Sequence, residues 1–360
     1  VQPWLDDGDV RLFQGDARQV LLGLPDESVQ CVITSPPFFN LRDYEDERQI
    51  GLEDTPEAWV ASLVDVFREC RRVLRPDGVM FVEVGESWAG GGGYAPDAPV
   101  NVARQIARAN GDNGGAFKIA HDATMRAKAA RRVVPEGTKP KDMIGTRWLL
   151  AFALRADGWF LRSEIIWAKP NAMPESAKDR PTNAHSSIFV LSRSPRYFWD
   201  GDPIRTEYLV DTRKVTTVKA GVGSQQHRDG ERWPNPGGAN ARSVWVVPTG
   251  QTSFKHFAPM PDTIAELCMK AGTSEYGACA QCGAPWQRRR DEDGVAIGWD
   301  PTCGCGCGVV DPCMVLDPFM GSATTALVAR RLGRRAVGVE LNPEYLEIAA
   351  RRLQQLSLFA

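Results

Sequence analysis

Residues 314–353 keep a rhythm that few architectures accommodate: strand, glycine turn, helix, strand, helix. Met314–Leu316 is a short apolar strand entering Asp317-Pro318-Phe319-Met320-Gly321-Ser322, and Ala323–Leu332 has helical spacing. Ala336–Val339 is a second strand ending at Glu340, and Pro343–Leu353 is a final helix. Strands joined through a single helix lie parallel, and a parallel sheet needs helices over both faces. The opening repeats the rhythm, with strands at Val10–Phe13 and Cys31–Ile33 flanking a helix at Ala17–Leu24. A helix over Pro56–Leu74, stopped by Pro76-Asp77-Gly78, leads to a strand at Val79–Val84. Met143–Ala156 reads as a helix, Ser163–Trp167 as a strand, and Ser187–Leu191 with Tyr197–Trp199 as a strand pair. The expected class is α/β, a mostly parallel, doubly wound sheet with inserted loops and a small recognition lobe.

Two stretches break the pattern. From Asn101 to Lys141 there are nine Lys/Arg against three acids, after a run of four glycines at 90–93. Glu207–Val244 is polar, Gly- and Arg-rich and nearly free of aliphatics. Both read as insertions outside the core. The expected division is 1–85 with 142–200 as one half of the main domain and 251–275 with 308–360 as the other. Residues 86–141 form a basic insert, 201–250 a recognition region and 276–307 a Cys-rich insert. A net charge of −2 offers no global attraction to nucleic acid, so local basic clusters must supply it. No run reaches the length of a membrane span and no signal-peptide pattern opens the chain, which points to the cytoplasm.

The strand–turn–helix at Asp317–Gly321 is how α/β proteins hold a nucleotide-like ligand. Glycine lets the backbone approach, and the helix N-terminus offers unpaired N–H groups. Glu340, ending the next strand, is placed to accept bonds from both ribose hydroxyls. The second signal is Thr34-Ser35-Pro36-Pro37-Phe38, directly after a buried strand.

The run DPFMGSATTALVARRLGRRAVGVELNPEY resembles the S-adenosylmethionine (AdoMet) segment of bacterial and phage DNA amino-methyltransferases, usually D-P-F-x-G-S-G-T-T followed by G-x-E-x-N-P-x-Y. It departs once, with Ala323 in place of glycine. GDARQVLLGLPDESVQCVITSPPFFNLRDY resembles the catalytic start of the same family, and catalytic motif first is the permuted, β-class order. The resemblance covers about residues 10–85, 143–200 and 250–353. It implies the AdoMet methyltransferase fold in permuted form. It places Asp317, Phe319 and Gly321 at the methionine side, Glu340 at the ribose and Asp16 near the adenine, with Ser322 and Asn342 also in the cofactor set. Thr34, and Phe257 and Pro259 in the segment His256–Pro261, complete the implied cofactor set.

By the same resemblance Ser35 and Pro36 engage a target amino group, Pro37 stiffens the loop and Phe38 packs on a base flipped from the duplex. The chemistry is consistent with those residue types. An exocyclic nitrogen is conjugated with its ring and poorly nucleophilic. A hydroxyl and a backbone carbonyl accepting its two N–H bonds favour a tetrahedral nitrogen with an available lone pair. Ser-Pro-Pro goes mainly with cytosine N4 in this family, and adenine N6 is the alternative. Cytosine C5 methylation needs a Cys nucleophile after a strand, and Pro312-Cys313 precedes one instead. An RNA or protein methyltransferase and a silent DNA-binding relative are the remaining readings.

Cys279-x2-Cys282 and Cys303-x-Cys305-x-Cys307 are two knuckles spaced for a tetrahedral metal, zinc by default. The expected ligands are Cys279, Cys282, Cys303 and Cys305, with Cys307 as a substitute. Free thiols are the alternative, and Arg288, Arg289 and Arg290 nearby are either DNA contacts or a solvated face. The expected partner is double-stranded DNA, contacted by Arg131, Arg132, Lys139 and Lys141 on the basic insert and by Lys169 and Asn171 after the strand EIIWAKPN. A cognate restriction endonuclease completes the expected partners; the sequence does not specify the oligomeric state.

Overall fold

The computed structural model describes residues 2–41, 46–90, 134–175, 177–208, 237–250, 260–292 and 294–357. Phe257, Pro259, Arg131 and Arg132, and most of both expected inserts, lie outside them.

The first half runs β1 (Leu5–Asp6), β2 (Val10–Gln14), α1 (Ala17–Leu22), β3 (Val29–Thr34), α2 (Pro56–Val73), β4 (Leu74–Val84), α3 (Thr146–Ala156), β5 (Phe160–Ala168), β6 (His185–Ser192) and β7 (Val244–Val246). The second half runs α4 (Asp262–Gly272), β8 (Ala278–Cys279), β9 (Trp286–Arg290), β10 (Ala296–Pro301) and β11 (Val310–Asp311). It ends with β12 (Met314–Asp317), α5 (Thr324–Arg331), β13 (Arg335–Glu340) and α6 (Pro343–Ser357).

Nine strands make one sheet in the order β1-β2-β13-β12-β3-β4-β6-β5-β7. Only β1 and β6 run against the rest. All six residues of β3 are buried, as a central parallel strand requires. Successive residues of each strand serve opposite faces. Cys31, Ile33, Val79 and Phe81 pack with Ile264, Cys268, Leu327 and Leu346 of α4, α5 and α6. Val32, Met80, Val82 and Val84 pack with Leu21, Trp59, Phe67 and Leu150 of α1, α2 and α3. Three helices on each face is the doubly wound arrangement that the sequence rhythm implies.

α2 has the signals expected of it. Thr55 caps it by accepting from Ala58 N at 3.1 Å, Pro56 opens its first turn, and Arg71 and Arg72 sit in its last. Its end departs from expectation, because β4 begins at once at Leu74. Pairing with β3 jumps from Val29↔Leu74 to Cys31↔Val79, so Pro76-Asp77-Gly78 is a bulge inside a strand rather than a break before one. Tyr197–Trp199 is not a strand. Phe198 N bonds Asp77 O and Asp200 N bonds Ala271 O, so this backbone is satisfied by a bulge and a helix end rather than by a ladder. β9 and β10 form a separate hairpin with no counterpart in the expected elements.

The stems of the basic insert meet at the sheet's C-terminal rim: Ala89 N bonds Asp142 O at 2.9 Å and Lys141 N bonds Ala89 O at 2.8 Å. Among the described residues no helix is long and apolar enough to cross a membrane.

Where α4 meets the sheet, Gly272 allows close contact. A Cβ there would stand 2.8 Å from Cys31 Sγ, from a Val79 methyl and from a Phe81 ring carbon. None of these groups sits at a flexible chain end. Gly272→Ala therefore lowers stability by about 1–3 kcal/mol through overpacking, to be read from the denaturant midpoint with the slope unchanged.

Candidate active site

Four loops leave the C-terminal ends of β2, β13, β12 and β3, where open α/β sheets bind ligands. Between them lies a cavity with about 1040 Å³ of empty space, its mouth open to solvent. Asp16, Ser35, Asp317, Phe319, Gly321 and Glu340 all line it, so residues some 300 positions apart in the chain share one wall.

Asp317 is fully enclosed. One of its oxygens accepts from Thr34 Oγ1 at 2.7 Å and from Phe319 N at 3.1 Å, and the other accepts from Thr325 Oγ1 at 2.7 Å. Burial pushes its pKa up to about 6 against the pull of those bonds. Its oxygens are thus engaged in tying β3, β12 and the start of α5 together. Glu340 takes one N–H on each oxygen, Gly321 N and Asn342 N, both at 2.8 Å. Each of its oxygens retains a lone pair for a ligand. Burial, reinforced by Asp317, pushes Glu340 up to about 7, while the two backbone bonds act the other way.

Gly321 has φ 55°, a left-handed turn that aims its N–H at Glu340. Ala323, two residues on, is also left-handed, at φ 66° and ψ 32°, and is fully buried as the N-cap of α5. The glycine usual at this place in the resembling family has a physical cause, since a Cβ is disfavoured in that conformation. Ser322 is buried and accepts from Arg352 through its hydroxyl at 2.9 Å. Asn342 caps α6, its Oδ1 accepting from Glu344 N at 2.8 Å, while its own N–H holds Glu340. Asp16 caps α1 through Arg18 N and pairs with the Arg18 guanidinium at 2.5 Å.

The Ser-Pro-Pro-Phe loop is held by groups that sequence reading missed. Ser35 Oγ donates to Glu83 Oε2 at 2.5 Å, and Trp59 Nε1 donates to Pro37 O at 2.9 Å. Pro36 is buried, and the Phe38 ring lies against Gly85, where any Cβ would meet it at 2.5 Å. Glu83 is 4% exposed, the lone acid in the strand run VMFVEV, and that anomaly was the available signal. Thr325 carried a weaker signal, as one of two threonines opening α5.

The expected DNA contacts divide. Lys139 and Lys141 are each 82% exposed and pair with Asp142 at 3.0 Å and Asp179 at 2.7 Å. Asn171 bonds both ways with Thr249, fixing the segment after β7. Lys169 instead lies over Trp167, 4.1 Å from the ring centroid, and donates to Ser186 Oγ at 2.5 Å.

The thiols converge. The Sγ atoms of Cys279, Cys282, Cys303 and Cys305 all lie within 4.8 Å of one another, and Cys307 Sγ is 3.2 Å from Cys279 Sγ. None of the five is in a disulfide. This knuckle docks on the opposite end of the sheet from the cavity. Gln30, near the start of β3, donates to Gly283 O and accepts from Met314 N, and Arg75 at the start of β4 donates to Cys282 O. Arg288, Arg289 and Arg290 are paired with Asp200 and Glu275, with Asp300, and with Asp202 respectively.

Asp317 and Glu340 titrate above their ordinary values, so they bind protons more readily in the folded chain than in the unfolded one. Their contribution to stability is full below about pH 4 and is lost as pH rises through about 6 and 7. The thermal midpoint of the ligand-free protein should fall across that window, and Asp317→Asn with Glu340→Gln should flatten the fall.

Comparison with known proteins gives concordant findings. A family model described as DNA methylase, for N6 and N4 methyltransferases, matches residues 29–351. The Type II methyltransferase M.Cfr9I of Citrobacter freundii is 37% identical over 346 residues, 95% of this chain and 87% of that one. M.SmaI of Serratia marcescens is 36% identical over 343 residues, covering 95% and 90%. Among solved structures, the cytosine-N4-specific PvuII DNA methyltransferase superposes with a TM-score of 0.56 at 16% identity, over 98% of this chain and 88% of that one.

Proposed function

The chain belongs to the DNA methylase family, and on that premise we propose that it moves a methyl group from AdoMet directly to the exocyclic amino group of a flipped base in double-stranded DNA, cytosine N4 rather than adenine N6. One observation carries the reading: Ser35, its hydroxyl proton committed to Glu83, opens onto the same cavity as Gly321 and Glu340.

The residues present fit the cofactor. Glu340 has lone pairs for two ribose hydroxyls, the turn at Gly321 allows close backbone approach, and Asp16 stands at the far wall for the adenine. When bound, AdoMet supplies a methyl group on a positively charged sulfur, and the S–C electron pair stays on sulfur as the amino lone pair forms the N–C bond. Ser35 Oγ, donating to Glu83, has its lone pairs free for one amino N–H, and a loop carbonyl stiffened by Pro36 and Pro37 suits the other. As the nitrogen gains positive charge, its proton passes to Ser35 Oγ while the Ser35 proton passes to Glu83 Oε2. The product base is neutral and Glu83 holds the proton. Positioning and preformed acceptors do the work, with no covalent intermediate. A cognate endonuclease cutting the same sequence is the partner this reading implies.

The test is incubation with methyl-labelled AdoMet and mixed-sequence duplex DNA, followed by nucleoside mass spectrometry. Labelled N4-methylcytosine is expected. N6-methyladenine would overturn the base assignment, and no labelled DNA despite bound AdoMet would overturn the substrate. Glu340→Gln should weaken AdoMet binding about tenfold in calorimetry, the scale of a lost charged hydrogen bond.

We also propose that the knuckle holds structural zinc. Tetrahedral zinc with Zn–S bonds of about 2.3 Å needs sulfurs roughly 3.8 Å apart, which the thiol cluster fits. Four thiolates close the ion to substrate, and the knuckle braces the starts of β3, β4 and β12, away from the cavity. Elemental analysis should find one zinc per chain. Chelation or Cys303→Ser should lower the thermal midpoint, and metal-free protein of unchanged stability would refute the assignment.

A further inference from the structure

On the face covered by α4, α5 and α6, Ile33, Phe81 and Val190 sit abreast on β3, β4 and β6. Strand alternation carries that face outward to polar residues at the C-terminal rim. Ser35 and Glu83 come first, then Ser186 on β6 and Lys169 just beyond β5. Glu83 and Ser186 are buried, at 4% and 1% exposure. The row is joined at both ends, Ser35 Oγ to Glu83 Oε2 at 2.5 Å and Lys169 Nζ to Ser186 Oγ at 2.5 Å. The Lys169 ammonium lies on the Trp167 ring, folded back along the sheet rather than out to solvent.

We propose that Lys169 is a positioning residue for methyl transfer: its ammonium, tied to Ser186 and lying over Trp167, is the counter-charge on the face where Glu83 takes the Ser35 hydroxyl proton, so that Ser35 presents lone pairs to the target amino group. This rests on the reading of Ser35 given above. Glu83 stands opposite Ile188 on β6, and Ser186, which holds Lys169, is two residues further along the same face; burial lowers the Lys169 pKa and the charge of Glu83 opposes that shift.

The other ionisable groups around the row are engaged among themselves. Arg147 pairs with Glu86 at 3.2 Å and reaches His185 Nε2 at 2.8 Å, and Glu164 accepts from Ser187 at 2.5 Å, all on the opposite face. Donation by Arg147 to His185 Nε2 leaves that imidazole neutral. Asp317, behind Thr34, has its oxygens engaged by Thr34, Thr325 and Phe319 N.

The experiment compares Lys169→Met, close in volume, and Lys169→Arg with wild type, using DNA methylation rates against pH and DNA affinity against salt. In Lys169→Met, kcat should fall about tenfold across the pH range tested, as expected for a lost electrostatic interaction. The KM for DNA and the salt slope should not change, and Lys169→Arg should restore most of the rate. Thermal unfolding close to wild type shows that the loss is not misfolding. A weakened DNA affinity with a salt slope reduced by about one, and an unchanged kcat, would make Lys169 a phosphate contact and overturn the proposal. A wild-type protein that methylates no DNA would fail the functional reading itself, and this proposal with it.

Discussion

Thr34 donates its hydroxyl proton to Asp317 at 2.7 Å across 283 positions of chain, in a fully buried setting. Asp317 takes a second hydroxyl from Thr325 and the N–H of Phe319. A carboxyl enclosed this way is costly unless its oxygens are partnered, and the partners come from β3, β12 and α5. The Ser-Pro-Pro loop follows Thr34 directly, and the turn to Gly321 follows Asp317 directly. One hydrogen-bonded carboxyl therefore sets the distance between the Ser35 hydroxyl and the Gly321–Glu340 cradle, on which an in-line transfer depends.

The molecule has two poles. At the C-terminal ends of the strands, the raised pKa values of Asp317 and Glu340 mark a cavity poised to take charge and protons. At the starts of β3, β4 and β12, the thiol knuckle is held by Gln30 and Arg75, and its three arginines are neutralised by Asp200, Asp202, Glu275 and Asp300. The knuckle and the cavity are joined through β3 and β12, so loosening one end of these strands reaches the other.

Much of this was legible in the sequence, for identifiable reasons. The central strands and their helices carry periodicity and caps that tertiary context does not override, as α2 shows. The cavity carboxylates follow from strand ends, because the sheet geometry dictates where such ends converge. Three things were not legible. The Pro76-Asp77-Gly78 bulge looks locally like a turn, and only pairing with β3 reveals it as strand. Tyr197–Trp199 has strand composition but finds its partners at a bulge and a helix end. Lys169 has the composition of a phosphate contact, and only the register of β5 on β6 turns it inward toward Ser186. Glu83 was readable, as a single acid in a buried strand, and passed unnoticed.

The strand order β2-β13-β12-β3 has a consequence for biosynthesis. β2 and β3 leave the ribosome well before β12 and β13, which follow some 300 residues later, yet they are neighbours only through those two strands. At roughly 5–20 residues per second, the nascent chain spends about 15–60 s with two apolar strand edges open at the centre of its future sheet. Those edges are templates for wrong pairing, either with each other or with another nascent copy. The permuted order thus makes this a late-closing sheet, its centre complete only once β12 and β13 have been made.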